Sequence, residues 1–139
     1  MGKFQIEGEG KWCKIITDCE VSAIPKRNSP EKPVCMNCDK AQWDTGAMVT
    51  LISSRVVAEM HLSPIGYTTL SGFENRPVRV RTYLVNLTFP NEVEIRTVEV
   101  AEAPLGVTDL LIGMDIIADG DFHYTCQEGR SYFSFETPY

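Results

Sequence analysis

The sequence has 139 residues, a length that suits one domain with a working core and leaves no room for two large lobes. A net charge of -6, with basic residues scattered apart from "KRN" and "RPVRVRTY", excludes a surface built to neutralise phosphates, so nucleic acid is not an expected partner. No apolar run nears the roughly 20 residues a bilayer crossing needs, and five cysteines without an export signal read as reduced thiols of a cytoplasmic protein.

The opening "MGKFQIEGEG" has no hydrophobic signal core. "KWCKIITDCEVSAI" predicts a strand that ends at Pro25, with Cys13 and Cys19 turned into the core as small apolar groups. "PKRNSPEKP" places three prolines and four charges in nine residues, which is loop chemistry. Residues 1–39 therefore read as a strand followed by a Pro- and Cys-containing loop, ahead of a domain over 40–139.

"CMNC" has the spacing of a zinc knuckle or a redox pair, and Cys13 and Cys19 could complete four thiolates with Cys35 and Cys38. A zinc ribbon pairs two C-x-x-C units, however, and five residues separate Cys13 from Cys19. No metal or other cofactor is expected, and zinc on these four cysteines is the alternative. Cys126 reads as a plain buried thiol.

"QWDTGAMVTLIS" sets Asp44 between a tryptophan and a Thr-Gly pair and then runs into apolar residues. "SSRVVAEMHL" follows as about two turns of helix, capped by Ser53 or Ser54, with Val56, Val57 and Met60 on one face. "PVRVRTYLVNLTF" predicts a long strand with Val78, Val80, Thr82 and Leu84 on one face and Arg79, Arg81, Tyr83 and Val85 on the other. "PN" turns the chain into "EVEIRTVEV", whose apolar phase slips between Ile95 and Val98 as a bulge causes. "DLLIGMDII" is an apolar strand reaching Gly113 and then a short helix, and "DFHYTC" and "RSYFSF" form a closing hairpin. The whole is a mainly β domain.

D-T-G alone is a short motif that ordinary turn composition also supplies. The ordered set "WDTGA", "LIS", "LSGFENR" and "LLIGMDII" resembles the single-domain, retroviral-type retropepsin-like aspartic proteases, and most of all their bacterial, gag-polyprotein-like branch. The resemblance runs from about Lys40 to Thr137. It implies the retropepsin-like acid-protease fold, a closed β-barrel with a flap hairpin and one or two short helices, assembled as a two-fold homodimer.

It also implies an aspartic endopeptidase that hydrolyses extended or unfolded polypeptide, in which Asp44 of two subunits forms the catalytic dyad. Thr45 would lock the two loops across the axis, and Gly46 would let the backbone approach the dyad. Ala47, Leu70, Ser71, Gly72 and Phe73 would meet substrate, the last four from the flap. Trp43, Ile112, Gly113 and Asp115 would support the loop. Retroviral members carry an arginine after the second glycine, where this chain has Met114, and commonly an acid where it has Met48. The terminal strands of two copies would interleave, burying Tyr132, Phe133 and Phe135. The alternative is a non-catalytic module that keeps the groove for peptides.

Overall fold

The computed structural model describes residues 2–71 and 76–138, which form ten strands and two short helices in a mainly β molecule. In the first half these are β1 (Lys3–Glu9), β2 (Ile15–Ala23), β3 (Cys35–Trp43), β4 (Leu51–Ser53), α1 (Ser54–Met60) and β5 (Gly66–Leu70). The second half holds β6 (Val78–Phe89), β7 (Val93–Ala103), β8 (Leu110–Ile112), α2 (Met114–Ile117), β9 (Asp121–Gln127) and β10 (Arg130–Glu136). Among the described residues, no helix is long and apolar enough to cross a membrane.

Six strands close into a barrel in the order β2-β3-β8-β4-β7-β6, because β6 pairs with β2 as well as with β7. Closure removes the free edges that a flat sheet would expose. Two of the pairings, β3 with β8 and β4 with β7, are parallel, and the first brings the Asp44 and Gly113 segments together from distant parts of the chain. β5 continues past β6 as the outer arm of a hairpin, with Leu70 opposite Val78.

Local chemistry explains several elements. The Ser53 hydroxyl caps α1 by accepting the Val56 N–H at 3.2 Å, and Val56, Val57 and Met60 are its buried face. The bulge expected in β7 is present: Val85 faces Val98 and Leu87 faces Ile95, so Arg96 and Thr97 together oppose Asn86. The Asn86 amide oxygen accepts the Thr97 N–H at 2.7 Å, which satisfies the donor that the bulge removes from the ladder.

β6 does not keep one core face. Tyr83, Val85, Leu87 and Phe89 are buried in its second half, whereas Val78 and Val80, on the opposite face, are only half-buried. Its first half belongs to the hairpin outside the barrel and its second half to the barrel wall. Alternation across its full length therefore describes two environments in succession.

A second sheet, in the order β1-β10-β9, packs on one side of the barrel. β1 was not expected from the sequence; it turns Phe4 into the core and pairs along its whole length with β10. Both edges of β10 are thus occupied within one chain, and Phe133 and Phe135 are each 1 % exposed in that chain's own core. The burial expected of Phe133 and Phe135 between two copies is met instead within one chain. Tyr132 points the other way and is partly exposed.

The two layers meet at Trp43. Its ring lies 4.9 Å from that of Phe135 and 5.1 Å from those of Phe89 and Phe133, centroid to centroid. Its indole N–H donates to the Thr17 hydroxyl at 3.0 Å, so the one polar atom of a buried ring is paired. Truncating an aromatic side chain in such a cluster costs about 3–5 kcal/mol. The strand that ends at Trp43 is accordingly well anchored where it delivers Asp44.

Candidate active site

Asp44 leaves the end of β3 and begins a tight loop that returns to β4 at Leu51. Its backbone N–H donates to the Ile112 carbonyl at 2.9 Å, continuing the β3–β8 pairing by one residue. One carboxylate oxygen accepts the Gly46 N–H at 2.8 Å, and the Asp44 carbonyl accepts the Ala47 N–H at 3.2 Å. The side chain is thereby oriented by its own loop while remaining partly exposed. Thr45 and Gly46 are exposed beside it, and Ala47 is half-buried.

The loop is held from behind by the β8–α2 junction. A Cβ on Gly113 would stand 2.6 Å from the Val49 carbonyl oxygen and 3.0 Å from that of Ala47, so only glycine permits this approach. The Met114 N–H donates to the Ala47 carbonyl at 2.7 Å and the Asp115 N–H to the Met48 carbonyl at 3.2 Å. The Asp115 carboxylate accepts from the backbone N–H and the hydroxyl of Thr50, a residue buried completely. That Thr50 contact was not foreseen, because nothing in the spacing of a threonine and an aspartate 65 positions apart signals it.

In front of the loop lies a groove of about 640 Å³. Asp44, Gly46 and Ala47 line it on the loop side, Leu51 and Leu111 come from the barrel, and Thr68 to Ser71 come from the β5–β6 hairpin. Leu70 is buried with Leu51, Ala101 and Ala103, against which Val80, Leu105 and Leu111 pack, so a small apolar cluster fixes the base of the hairpin to the barrel. Met48, at 84 % exposure, and Val49 also line the groove. Of the expected substrate-contacting residues, Ala47, Leu70 and Ser71 are at the groove, while Gly72 and Phe73 lie outside the described residues.

A second polar cluster lies apart from this groove. The Arg55 guanidinium bonds both the buried Asp109 carboxylate and Glu59, and the Asp109 N–H donates to the Lys40 carbonyl at 3.0 Å while the Asp109 carbonyl accepts the Ser53 N–H at 2.9 Å. These bonds tie α1 to the start of β8 and have an evident structural use.

The cysteines are dispersed. Cys19 and Cys38 are buried, and Cys13, Cys35 and Cys126 are exposed. Two expectations are corrected here: Cys13 lies before β2 begins and faces solvent, and Cys126 sits on the outermost strand of the second sheet. Cys35 and Cys38 fall on opposite faces of β3, about 10 Å apart at strand rise, which is too far for one metal ion to bind both. Among the described residues, no group of three or more His, Cys, Asp or Glu side chains is placed to hold a metal. Burial pushes the thiol of Cys38 up to about 12, with the nearby Asp109 carboxylate adding to the effect, and raises that of Cys19 further.

A six-stranded barrel, a D-T-G loop backed by a second apolar-glycine segment, and a groove lined on one side by a hairpin define the fold of a retropepsin-like aspartic protease. The chain is similar to the crystal structure of a retropepsin-like aspartic protease from Rickettsia conorii, with a TM-score of 0.55 over 96% of this chain and 92% of that one. At 9% sequence identity the likeness is one of fold. No protein-family model matches the sequence, and no curated protein matches it either.

Proposed function

We propose that two copies of this chain form an aspartic endopeptidase that hydrolyses extended polypeptide. The observation that carries the reading is the Asp44 carboxylate at a groove, with one oxygen held by the Gly46 N–H at 2.8 Å and the loop clamped by Gly113, Met114 and Asp115. Peptide hydrolysis without a metal or a covalent intermediate needs a base for water and an acid for the carbonyl. One chain contributes one D-T-G, so the second carboxylate is Asp44 of another copy across a two-fold axis.

In that pair the ionised carboxylate takes a proton from the attacking water while the protonated one hydrogen-bonds the scissile carbonyl oxygen. The tetrahedral intermediate then collapses as a proton passes to the departing amine. The two acids titrate as a unit, because like charges at that distance cannot both ionise easily. Thr45, exposed beside Asp44, would meet its counterpart across the axis. The β5–β6 hairpin acts as the flap, and substrate lies as an added strand against it, with Leu51, Leu70 and Leu111 forming apolar surface for its side chains.

Incubating the protein and Asp44→Asn with unstructured peptides between about pH 3 and 7, where carboxylate dyads operate, tests the reading. New peptide termini from the wild type alone support it. Binding of peptides without cleavage by either protein would favour the second reading, a peptide-binding module, which draws on Asp44 being the sole carboxylate among the described groove-lining residues.

A further inference from the structure

In the antiparallel pairing of β2 with β3, Cys19 stands directly opposite Cys38, and both side chains are 2 % exposed. Opposed residues in such a ladder have Cα atoms about 4.5–5.5 Å apart and side chains on one face. That separation falls within the window of about 4.4–6.8 Å that a disulfide spans. A bulge creates the alignment. Thr17 faces Ala41 but Cys19 faces Cys38, so Asp39 and Lys40 together oppose Asp18. The extra residue lets both Cys38 and Ala41 point inward although an odd number of positions separates them.

We propose that Cys19 and Cys38 are a disulfide-forming pair that closes as β2 and β3 come together during folding, before the barrel shuts over them. The C-x-x-C spacing in the sequence is not the operative pair, since β3 turns Cys35 to solvent. With a small-molecule disulfide such as glutathione disulfide as oxidant, the thiolate of one cysteine attacks a glutathione sulfur and expels glutathione thiolate, forming a mixed disulfide. The second cysteine, as thiolate, then attacks the protein sulfur of that intermediate and expels the other glutathione. The two protein sulfurs are oxidised to one S–S bond, the oxidant is reduced to two thiols, and the two protons end on glutathione.

Access decides when this happens. In the closed barrel neither sulfur is open to solvent and burial keeps both protonated, so exchange is slow in either direction. The folded chain therefore retains the redox state in which it folded. The cross-link encloses the Pro25–Pro33 loop and joins β2 to the strand that delivers Asp44, so it restrains the unfolded chain without touching the groove. The inference is independent of what occurs at Asp44.

The test is to unfold the reduced protein, refold it in a glutathione and glutathione disulfide buffer, alkylate free thiols under denaturing conditions and map the peptides by mass. Alkylation of Cys13, Cys35 and Cys126 with a Cys19–Cys38 linked peptide is the expected result, together with a higher thermal midpoint that returns to the reduced value on reduction in denaturant. Native reduced protein placed in the same buffer for the same time should keep both thiols unlinked. A variant carrying Cys13→Ser, Cys35→Ser and Cys126→Ser alters only exposed positions and should link to the same extent. Five alkylated cysteines after refolding, or linkage through one of the exposed cysteines instead, would overturn the proposal; equal linkage of native and refolding protein would overturn its timing.

Discussion

The Asp115 carboxylate holds Thr50 by two bonds, accepting its hydroxyl at 2.7 Å and its backbone N–H at 3.0 Å. The same hydroxyl accepts the Gly113 N–H at 3.1 Å, so the end of the Asp44 loop, the glycine that abuts it and the helix behind form one closed polar set. Asp115→Ala should destabilise the protein by about 1–3 kcal/mol, the usual cost of leaving buried donors unpaired. Thr50→Val should cost a similar amount, and the double substitution should cost clearly less than the two together, because both remove the same interaction. Denaturant unfolding of the four proteins measures this, and strict additivity would contradict the coupling.

Gly113→Ala tests the close approach on which the loop rests. The atoms a methyl group would meet are backbone oxygens of Val49 and Ala47, which cannot swing aside as a side-chain end does. A loss of about 1–3 kcal/mol is expected, as for other overpacked positions. Peptide cleavage, if Asp44 catalyses it, should fall by more than the loss of folded protein explains. A variant with wild-type thermal stability would show that the loop has room to move.

The buried thiols predict an alkaline limit to stability. Cys38 is raised in the fold from 9.0, its ordinary value, to about 12, and Cys19 is also raised. Between those values the unfolded chain loses a proton that the folded chain keeps, so the unfolded state binds fewer protons and stability falls as pH rises. The stabilisation is complete below about pH 9 and declines by about 1.4 kcal/mol per pH unit for each thiol involved. Unfolding midpoints of reduced protein from pH 8 upward should show this decline, and Cys38→Ala should lessen its slope while lowering the starting stability. Parallel pH curves for the two proteins would refute the assignment.

Deleting the residues after Gly129 should unfold the chain rather than merely separate copies. Those residues hold Phe133 and Phe135, which pack on Trp43, and supply the strand that lies between β1 and β9. Near-ultraviolet circular dichroism of the truncated protein should lose its aromatic signal. A native-like spectrum from a truncated monomer would mean that the second sheet is dispensable.

These cases also show which parts of the architecture were open to sequence reasoning. Ser53 at the start of α1, the phase slip before Val98 and the passage from "LLI" through Gly113 into α2 are local signals, each with a local physical cause, and they were readable. The resemblance of "WDTGA" and "LLIGMDII" drew the two halves of the candidate site together. What escaped depends on pairing between distant segments. β1 has weak alternation and is a strand because β10 lies beside it; Tyr83 changes which face of β6 is buried because the strand enters the barrel there. The bulge at Asp39 and Lys40, which turns Cys38 inward, interrupts a sequence whose polar residues give no apolar phase to follow. Thr50 and Asp115 meet only once β8 has inserted between β3 and β4.

The most direct measurement of the central claim is peptide cleavage by mixtures of wild type and Asp44→Asn, unfolded and refolded together at constant total protein. If each active unit needs Asp44 from two chains, an equal mixture with random pairing holds about a quarter of its dimers with both carboxylates, and activity should fall to about a quarter of the all-wild-type value. Retention of half the activity, in proportion to the wild-type chains present, would show that one chain carries a complete site and would contradict the account.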